Sequence, residues 1–193
     1  MADEKVLYLV SGPIGAGKST YAKSLINYFG LSSLEYISAD IYFLLYFKDS
    51  SSSEGEAYSK AKQYSYYKLD KAISQGRSFI WETVVAKDKK LNLIESILEQ
   101  GYILKCLYVG MRDYDISINR VFQRHELGWY TVPEQKTIDR HQKSISHLKK
   151  LIMLADSMMI IDSSSDQGKI VMWKKAKTIL YRDAGCDWLP NPI

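Results

Sequence analysis

The stretch LYLVSGPIGAGKSTYAKSL, from Leu7 to Leu25, joins an apolar run to a helical pattern through three glycines. Glycine has no Cβ, so it adopts backbone angles closed to other residues and lets another group approach the main chain closely. Because these glycines follow a predicted strand and precede a predicted helix, they indicate a turn against which a ligand lies.

This turn fits the phosphate-binding pattern G-x-x-x-x-G-K-[ST], and Thr20 follows it. The pattern covers Gly12, Pro13, Ile14, Gly15, Ala16, Gly17, Lys18 and Ser19. Backbone N–H groups of such a loop form a nest for phosphate oxygens, and the next helix adds its dipole. The pattern assigns Lys18 to the β- and γ-phosphates of ATP and the Ser19 hydroxyl to Mg²⁺. The alternative is a plain strand-to-helix turn, but by average composition a match arises by chance in only about one such chain in a hundred.

The composition predicts a single domain over residues 1–193. The chain has 193 residues, of which 46% are hydrophobic, and no linker or internal repeat divides it. Two cysteines, Cys106 and Cys186, are too few for a disulfide framework or a zinc site. The N-terminus lacks a secretory pattern and no apolar run has membrane-spanning length, so we expect a cytoplasmic protein without a membrane partner.

The charge of the chain favours a small anionic ligand. Its 26 basic and 22 acidic residues leave a net charge of +4. This mild excess falls short of the basic footprint of a nucleic-acid-binding protein, so no nucleic-acid partner is predicted.

Apolar, β-rich runs alternate with longer helical patterns along the chain, which is typical of an α/β fold with a parallel sheet. The predicted strands are VLYLVSG, EYISAD, SFIWET, YILKCLYVG and SMMIID. Gly30, Gly76 and Gly101 stand where helix C-caps are expected, and Ser53 with Glu56 forms a capping box. The segment KIVMWKKAKTILYRD predicts a terminal hairpin, followed by a tail, DAGCDWLPNPI.

Carboxylates follow the second and third predicted strands, where an open α/β sheet holds its ligands. Asp40 ends the SAD motif and is a candidate base that positions an acceptor hydroxyl and takes its proton. Glu82 and Thr83 end the WET motif and are candidates for binding the acceptor, or for Glu82 a magnesium-bound water. The structural alternatives are an N-cap role for Asp40 before IYFLLYF, and capping of the following helix by Glu82 or Thr83.

The segment NRVFQRHELGWYTVPEQKTIDRH predicts a mobile lid, over about residues 113–140, with cations for the transferred phosphoryl group. Arg120 and Arg124 lie four residues apart and can look the same way. Gly128 breaks this helix, and Thr131 and Glu134 restart a second one with a box-like pattern. Arg140 lies about two turns further on. The alternative is that each arginine is a surface residue paired with Glu126 or Asp139.

The ordered set SGPIGAGKST, SAD, WET and RVFQRHELGWYTVPE resembles the zeta-toxin-like P-loop kinases, from about Val6 to Ser164. The resemblance implies a three-layer α/β/α fold, phosphorylation of a hydroxyl of UDP-N-acetylglucosamine with ATP and Mg²⁺, and neutralisation by an antitoxin that blocks the nucleotide site. It also implies that Asp40 is the base, Glu82 and Thr83 bind the acceptor, and Arg124 is the first lid arginine. Arg140 matches the second lid arginine, and Arg120 joins the acceptor-binding candidates.

Two departures from the family pattern leave the acceptor open. Ile14 stands where short relatives usually have Asn, and Gly128-Trp129-Tyr130-Thr131 replaces a G-G-H-D type segment. A nucleoside or antibiotic kinase, or a non-catalytic ATP-binding module, therefore stays as an alternative. Several tyrosines, at positions 42, 46, 58 and 66, either stack on the acceptor or pack in the core.

Overall fold

A computed structural model of the chain describes residues 4–51, 53–165 and 167–191. Its strands are β1 (Val6–Ser11), β2 (Glu35–Ser38), β3 (Phe79–Glu82), β4 (Ile103–Gly110), β5 (Ser157–Asp162), β6 (Lys169–Lys175) and β7 (Thr178–Arg182). They form one seven-stranded sheet in the order β2–β3–β1–β4–β5–β6–β7. Strands β1 to β5 run parallel, whereas β6 and β7 are antiparallel. The predicted parallel sheet and the terminal hairpin are both confirmed.

Helices cover both faces of this sheet. They are α1 (Lys18–Tyr28), α2 (Ala39–Tyr42), α3 (Glu54–Ser74), α4 (Asp88–Glu99), α5 (Tyr114–Glu126) and α6 (Glu134–Leu154). Side chains alternate along a strand, so Leu7 and Leu9 of β1 face the layer formed by α3, α4 and α6, while Val10 faces α1 and α5. The predicted three-layer α/β/α fold is therefore confirmed.

Helix ends follow the glycine pattern. Gly30, Gly76 and Gly101 each come directly after a helix and its last capping residue, and all three have positive φ. At the start of α3, the backbone N–H of Glu56 donates to Ser53 Oγ at 3.2 Å. This bond confirms that Ser53 caps α3.

Three residues for which helix capping was the structural alternative do not cap a helix in the structure. Ser38 occupies the N-cap position of α2, and Asp40 is the second helical residue without a side-chain capping bond. Helix α4 begins at Asp88, too far along the chain for Glu82 or Thr83 to cap it. The structure therefore does not support the capping alternatives for these three residues, because the N-cap positions of α2 and α4 belong to Ser38 and Lys87.

The box-like start predicted for α6 is also wrong. The helix begins at Glu134 with Pro133 at the N-cap, and no side chain caps it. The backbone N–H of Thr137 donates to the Pro133 carbonyl at 3.0 Å instead. Proline is tolerated at this position, just before the helix, because it has no backbone N–H that would need a partner.

The C-terminal segment, predicted as a tail, belongs to the packed fold. Trp188 lies against Gly110 at the end of β4, where a Cβ would come within 2.3 Å of its ring. Its indole N–H donates to Asp162 Oδ2 at 3.0 Å, and Cys186 and Leu189 are buried. A glycine at position 110 thus makes room for the indole ring.

Among the helices of the described residues, none combines the length and the apolar composition that a bilayer crossing requires.

Candidate active site

The glycine loop between β1 and α1 packs closely against the sheet. Gly12 has a φ of 137°, and a Cβ there would lie 1.9 Å from the carbonyl oxygen of Val109 on β4. Gly17, with a φ of 81°, comes immediately before α1. The loop therefore runs against β4 and leads into the N-terminus of an eleven-residue helix, where unpaired N–H groups and the helix dipole suit phosphate.

Lys18 lies under this loop rather than on the surface. Its side chain is buried, and Nζ donates to the carbonyl oxygen of Pro13 at 2.7 Å. Burial lowers the pKa of the Lys18 ammonium, while the nearby Glu82 and Asp40 carboxylates oppose that change. The ammonium is thus held at the loop and faces two carboxylates of the site.

Ser19 and Glu82 meet at the carboxyl edge of the sheet. The Ser19 hydroxyl lies 2.9 Å from Oε1 and 3.1 Å from Oε2 of Glu82. Tyr36 also donates to Glu82 Oε2, at 2.5 Å, and burial together with this carboxylate raises the tyrosine pKa. A hydroxyl and a carboxylate side by side are the hard oxygen donors that Mg²⁺ prefers, so the residues present fit that ion.

Asp40 presents its carboxylate between two helices. Oδ1 accepts a hydrogen bond from the Tyr58 hydroxyl of α3 at 2.8 Å. Oδ2 lies 3.9 Å from Arg124 Nη2 of α5. The side chain keeps 37% of its surface exposed, so an acceptor can still reach it.

A cleft of about 720 Å³ connects these groups. It lies between the carboxyl edge of the sheet, α3, the N-terminus of α4 and the two helices α5 and α6. The predicted residues that line it are Ile14, Lys18, Asp40, Glu82, Thr83, Arg124 and Arg140. The structure thus brings the predicted lysine, carboxylates and lid arginines to one cavity.

The predicted lid consists of α5, the segment 127–133 and α6. Gly128 has a φ of 81° and follows the end of α5, as predicted for a helix break. The Arg124 guanidinium lies over the Trp129 ring, 4.2 Å from its centroid. Its carboxylate neighbour is Asp40 rather than Glu126, so the surface-pair alternative does not describe Arg124.

Arg120 does not share this cleft. Its guanidinium donates to the carbonyl oxygens of Gly15, at 3.5 Å, and Ser163, at 3.0 Å. The structure thus differs from the prediction that Arg120 and Arg124 can look the same way, because the Arg120 guanidinium has two backbone carbonyl oxygens within hydrogen-bond reach. Arg120 instead joins the phosphate loop to the end of β5, and its predicted contact with the acceptor stays a prediction.

Lys90 is a cleft residue that the sequence reasoning missed. Its ammonium donates to the Thr83 hydroxyl and, at 3.0 Å, to the Val84 carbonyl oxygen. Burial lowers the Lys90 pKa to about 7, and Lys62 and Arg140 add repulsion. Thr83, predicted to bind the acceptor, thus also holds a lysine that faces the same cleft.

Basic side chains outnumber acidic ones around the cleft by nine to four. The signal for Lys90 was present in the run KDKK, which places Lys87, Lys89 and Lys90 at the N-terminus of α4. Cations at a helix N-terminus oppose the helix dipole, so a cluster of them there indicates a use outside helix stability.

The tyrosines named as stacking candidates divide into different environments. Tyr42 is buried and Tyr46 is exposed, whereas Tyr58 and Tyr66 line the cleft. Tyr58 is itself stacked on Tyr130 of the segment 127–133, with ring centroids 3.9 Å apart and an interplanar angle of 7°. For Tyr58, the ring partner is therefore another side chain of the protein.

Structural comparison places the chain among P-loop kinases by fold. The complex of AvrRxo1-ORF1 and ORF2 solved with ATP superposes with a TM-score of 0.74 at 12% identity, over 95% of this chain and 62% of that one. The PezAT toxin–antitoxin system of Streptococcus pneumoniae superposes with a TM-score of 0.57 at 15% identity, over 83% of this chain and 68% of that one. Deoxyadenosine kinase from M. mycoides with bound dATP superposes with a TM-score of 0.50 at 16% identity, over 83% of this chain and 93% of that one. This chain thus spans less than two thirds of the AvrRxo1 chain, and at such identities the likeness shows the fold.

No curated protein sequence matches the chain. A family model described as Zeta toxin, however, matches residues 2–178, which is most of its length. The match agrees with the kinase-like fold and with the class of P-loop phosphotransferase predicted from the motifs. The chain therefore belongs to the zeta toxin family.

Proposed function

We propose that this protein is an ATP-dependent kinase that transfers the γ-phosphoryl group to a hydroxyl of a small-molecule acceptor. The observation that carries the proposal is the meeting of Lys18, Asp40 and Arg124 around one cleft. These are the three kinds of group that phosphoryl transfer needs: a cation at the phosphates, a carboxylate for the acceptor and a cation from the lid.

On the ATP side, the glycine loop and the N-terminus of α1 hold the phosphates, and Lys18 neutralises charge on the β- and γ-phosphate oxygens. Ser19 and Glu82 would hold Mg²⁺, directly or through water, and the ion would supply charge neutralisation between the phosphates. Arg124 and Arg140 stabilise the charge that spreads over the transferred oxygens when the lid is closed.

On the acceptor side, Asp40 orients the attacking hydroxyl and takes its proton. The acceptor oxygen forms a bond to the γ-phosphorus as the bond between that phosphorus and the bridging β–γ oxygen breaks. ADP leaves with the electron pair of the broken bond, and the phosphorylated acceptor leaves with the phosphoryl group. Glu82 and Thr83 bind the acceptor near the same edge of the sheet, and Arg120 remains among the proposed contacts.

The leading acceptor is a nucleotide sugar of the UDP-N-acetylglucosamine type. The excess of basic residues at the α3 and α4 side of the cleft, including Lys62, Lys87 and Lys90, supports an acceptor that carries its own phosphates. A nucleoside or an antibiotic brings no such charge and is the less favoured alternative. A non-catalytic ATP-binding module would need neither Asp40 nor this basic lining.

The proposal is tested by incubating the protein with γ-labelled ATP, Mg²⁺ and a panel of nucleotide sugars, nucleosides and aminoglycosides. We expect label to appear on UDP-N-acetylglucosamine or a related nucleotide sugar. Label on a nucleoside instead would reassign the acceptor. Binding of ATP without labelling of any panel member would favour the interaction module.

The lid arginines supply a first prediction. Arg124→Ala and Arg140→Ala should lower kcat about 10²-fold while the apparent KM for ATP changes little, because a lid cation acts mainly in the closed transition state. Arg77→Ala is the matched control, since Arg77 lies outside the cleft and pairs with Glu35. Steady-state kinetics of the three variants distinguish the outcomes. A rise in KM with unchanged kcat would place the two arginines on a ground-state binding surface.

Lys90 supplies a second prediction, on pH. With a pKa of about 7, Lys90 is charged below that pH, so the affinity for an anionic acceptor should fall as pH rises above 7. Lys90→Met should raise the acceptor KM about ten-fold at pH 6.5 and less at pH 8.5, with Lys149→Met, on the exposed face of α6, as the control. An equal effect of Lys90→Met on the acceptor KM at both pH values would contradict the proposal that the charged form of Lys90 binds the acceptor.

The lowered pKa of Lys90 also makes the free energy of unfolding depend on pH. In the unfolded chain Lys90 keeps its ordinary pKa of 10.5, so between about pH 7 and 10.5 the unfolded state holds a proton that the folded state has lost. The contribution of Lys90 to the free energy of unfolding therefore rises with pH across this window. Lys90→Met should flatten that rise in melting experiments without ligand.

We include an antitoxin protein among the proposed partners, and a cytoplasmic location for the pair. The AvrRxo1 structure is a complex of two components, ORF1 and ORF2, and PezAT is a toxin–antitoxin system, which supports this partner class. An antitoxin that blocks the nucleotide site should weaken ATP binding when it is added to the purified kinase.

A further inference from the structure

Two side chains, Tyr58 and Arg124, lie on either side of the Asp40 carboxylate, and both also contact the same short segment of the lid. We name residues 127–133, between α5 and α6, the lid loop. Tyr58 donates to one oxygen of Asp40 at 2.8 Å, and Arg124 lies 3.9 Å from the other. Tyr58 stacks on Tyr130 and Arg124 lies over Trp129, so two consecutive residues of the lid loop support the two partners of Asp40.

The stack of Tyr58 on Tyr130 joins elements that are far apart in the chain. Tyr58 belongs to α3, and Tyr130 belongs to the lid loop. Their ring centroids lie 3.9 Å apart with an interplanar angle of 7°, and Phe43 contacts both rings edge-on at 5.9 and 6.0 Å. Three aromatic rings packed in this way hold the lid loop against α3 and fix the direction of the Tyr58 hydroxyl.

The Tyr58 phenol is protonated and can therefore donate a hydrogen bond to Asp40. Burial and the nearby carboxylate raise the pKa of the Tyr58 phenol, so the phenol keeps its proton over the working pH range. It therefore donates to Asp40 and leaves the carboxylate as the group that accepts a proton. Asp40, which is 37% exposed, needs such a partner because an exposed carboxylate otherwise samples several rotamers.

We propose that Tyr58 is a positioning residue: it holds the Asp40 carboxylate toward the acceptor, and its stack on Tyr130 makes that orientation depend on the docked lid loop. The inference rests on the proposed function, in which Asp40 is the base. A lid loop that leaves α3 would then release the base at the same moment as it withdraws Arg124. Transfer to water would thereby be disfavoured whenever the site is open.

The first test is Tyr58→Phe, which keeps the ring and its stack and removes only the hydroxyl. With UDP-N-acetylglucosamine as acceptor, we expect kcat to fall about ten-fold while the KM for ATP and the melting temperature hold. Tyr67→Phe, at an exposed tyrosine on the same helix, is the control and should leave kcat unchanged. A wild-type kcat in Tyr58→Phe, alongside loss of transfer in Asp40→Asn, would overturn the inference and leave the proposed function standing.

A double-mutant cycle tests whether Tyr58 acts through Asp40. In the Asp40→Asn background, Tyr58→Phe should cause no further loss of transfer, because the group that it positions is already inactive. A full additional ten-fold loss there would show that the hydroxyl acts elsewhere and would overturn the inference. If Asp40→Asn itself transfers at the wild-type rate, it is the base assignment of the proposed function that fails.

The role of the lid loop has its own readout, which needs no acceptor. Tyr58→Ala and Tyr130→Ala should speed hydrogen–deuterium exchange of the backbone amides in residues 127–133, whereas Tyr58→Phe, which keeps the stack, should not. Tyr130→Phe should restore most of the turnover that Tyr130→Ala loses. Unchanged exchange in both alanine variants would overturn the link between the lid loop and the base.

Discussion

Replacing Lys18 by alanine should abolish phosphoryl transfer and weaken ATP binding. The ammonium lies at the glycine loop and donates a hydrogen bond to the Pro13 carbonyl oxygen at 2.7 Å. From there it would stabilise the negative charge on the phosphate oxygens in the transition state. Loss of such a preorganised cation costs about 10²- to 10³-fold or more in turnover. Turnover is measured with labelled ATP, and affinity is measured by calorimetry on the same preparation.

The control for this experiment is Lys23→Ala, a lysine on the exposed side of the same helix. The fold of the Lys18 variant should survive, because a buried ammonium with a lowered pKa carries a desolvation cost that alanine removes. Melting curves check that expectation. Full transfer by a folded Lys18→Ala protein would refute the phosphate-loop assignment.

The replacement of Asp40 by asparagine is expected to lower transfer by about 10²- to 10⁴-fold, the usual contribution of a general base. Asparagine keeps the size of the side chain and can still accept from Tyr58, but it cannot take the proton of the acceptor. ATP affinity should barely change, since Asp40 faces the acceptor part of the cleft. The melting temperature should also hold within a few degrees, because Asp40 makes no capping bond. The variant loses a favourable interaction with the helix dipole, about 0.3–1 kcal/mol, and a partly exposed ion pair with Arg124 at 3.9 Å, which contributes little to stability.

Asp49→Asn, in the exposed turn that follows, provides the matched control. Transfer, ATP affinity and melting temperature are measured side by side for both variants. If Asp40→Asn keeps full transfer, the base must be sought at Glu82. That residue already accepts from Ser19 and Tyr36, so its variants would combine metal and base effects.

Much of the fold could be predicted because its signals are local. Apolar runs at strand spacing, glycines after helices and the Gly12 to Ser19 loop each depend on residues close together in the chain. The helix starts near Asp40 and Glu134 were predicted less well. There Ser38 and Pro133 occupy the N-cap positions without a side-chain capping bond, so the capping side chains from which a helix start is predicted are not used.

The candidate site could be predicted in part. Lys18, Asp40, Glu82 and Arg124 were named from motifs. The first three meet because the carboxyl ends of the parallel strands β1, β2 and β3 share one edge, whereas Arg124 reaches them from α5. Arg120 was expected beside Arg124, but its side chain reaches the carbonyl oxygens of the phosphate loop instead. Helical spacing places two residues on one side of a helix. The position of each guanidinium then depends on which hydrogen-bonding oxygen atoms lie within its reach.

By itself, the sequence determined the class of fold, the phosphate loop and the kinds of side chain at the ends of the strands, since all of these follow from local spacing and residue chemistry. Tertiary structure alone decided that Lys90 enters the cleft, that Ser19 meets Glu82, and that Tyr58 holds Asp40 while stacked on Tyr130. Those contacts join residues brought together only when the helices pack on the sheet, and hydrogen bonds and ring stacking depend on distances of a few ångströms that no local pattern encodes.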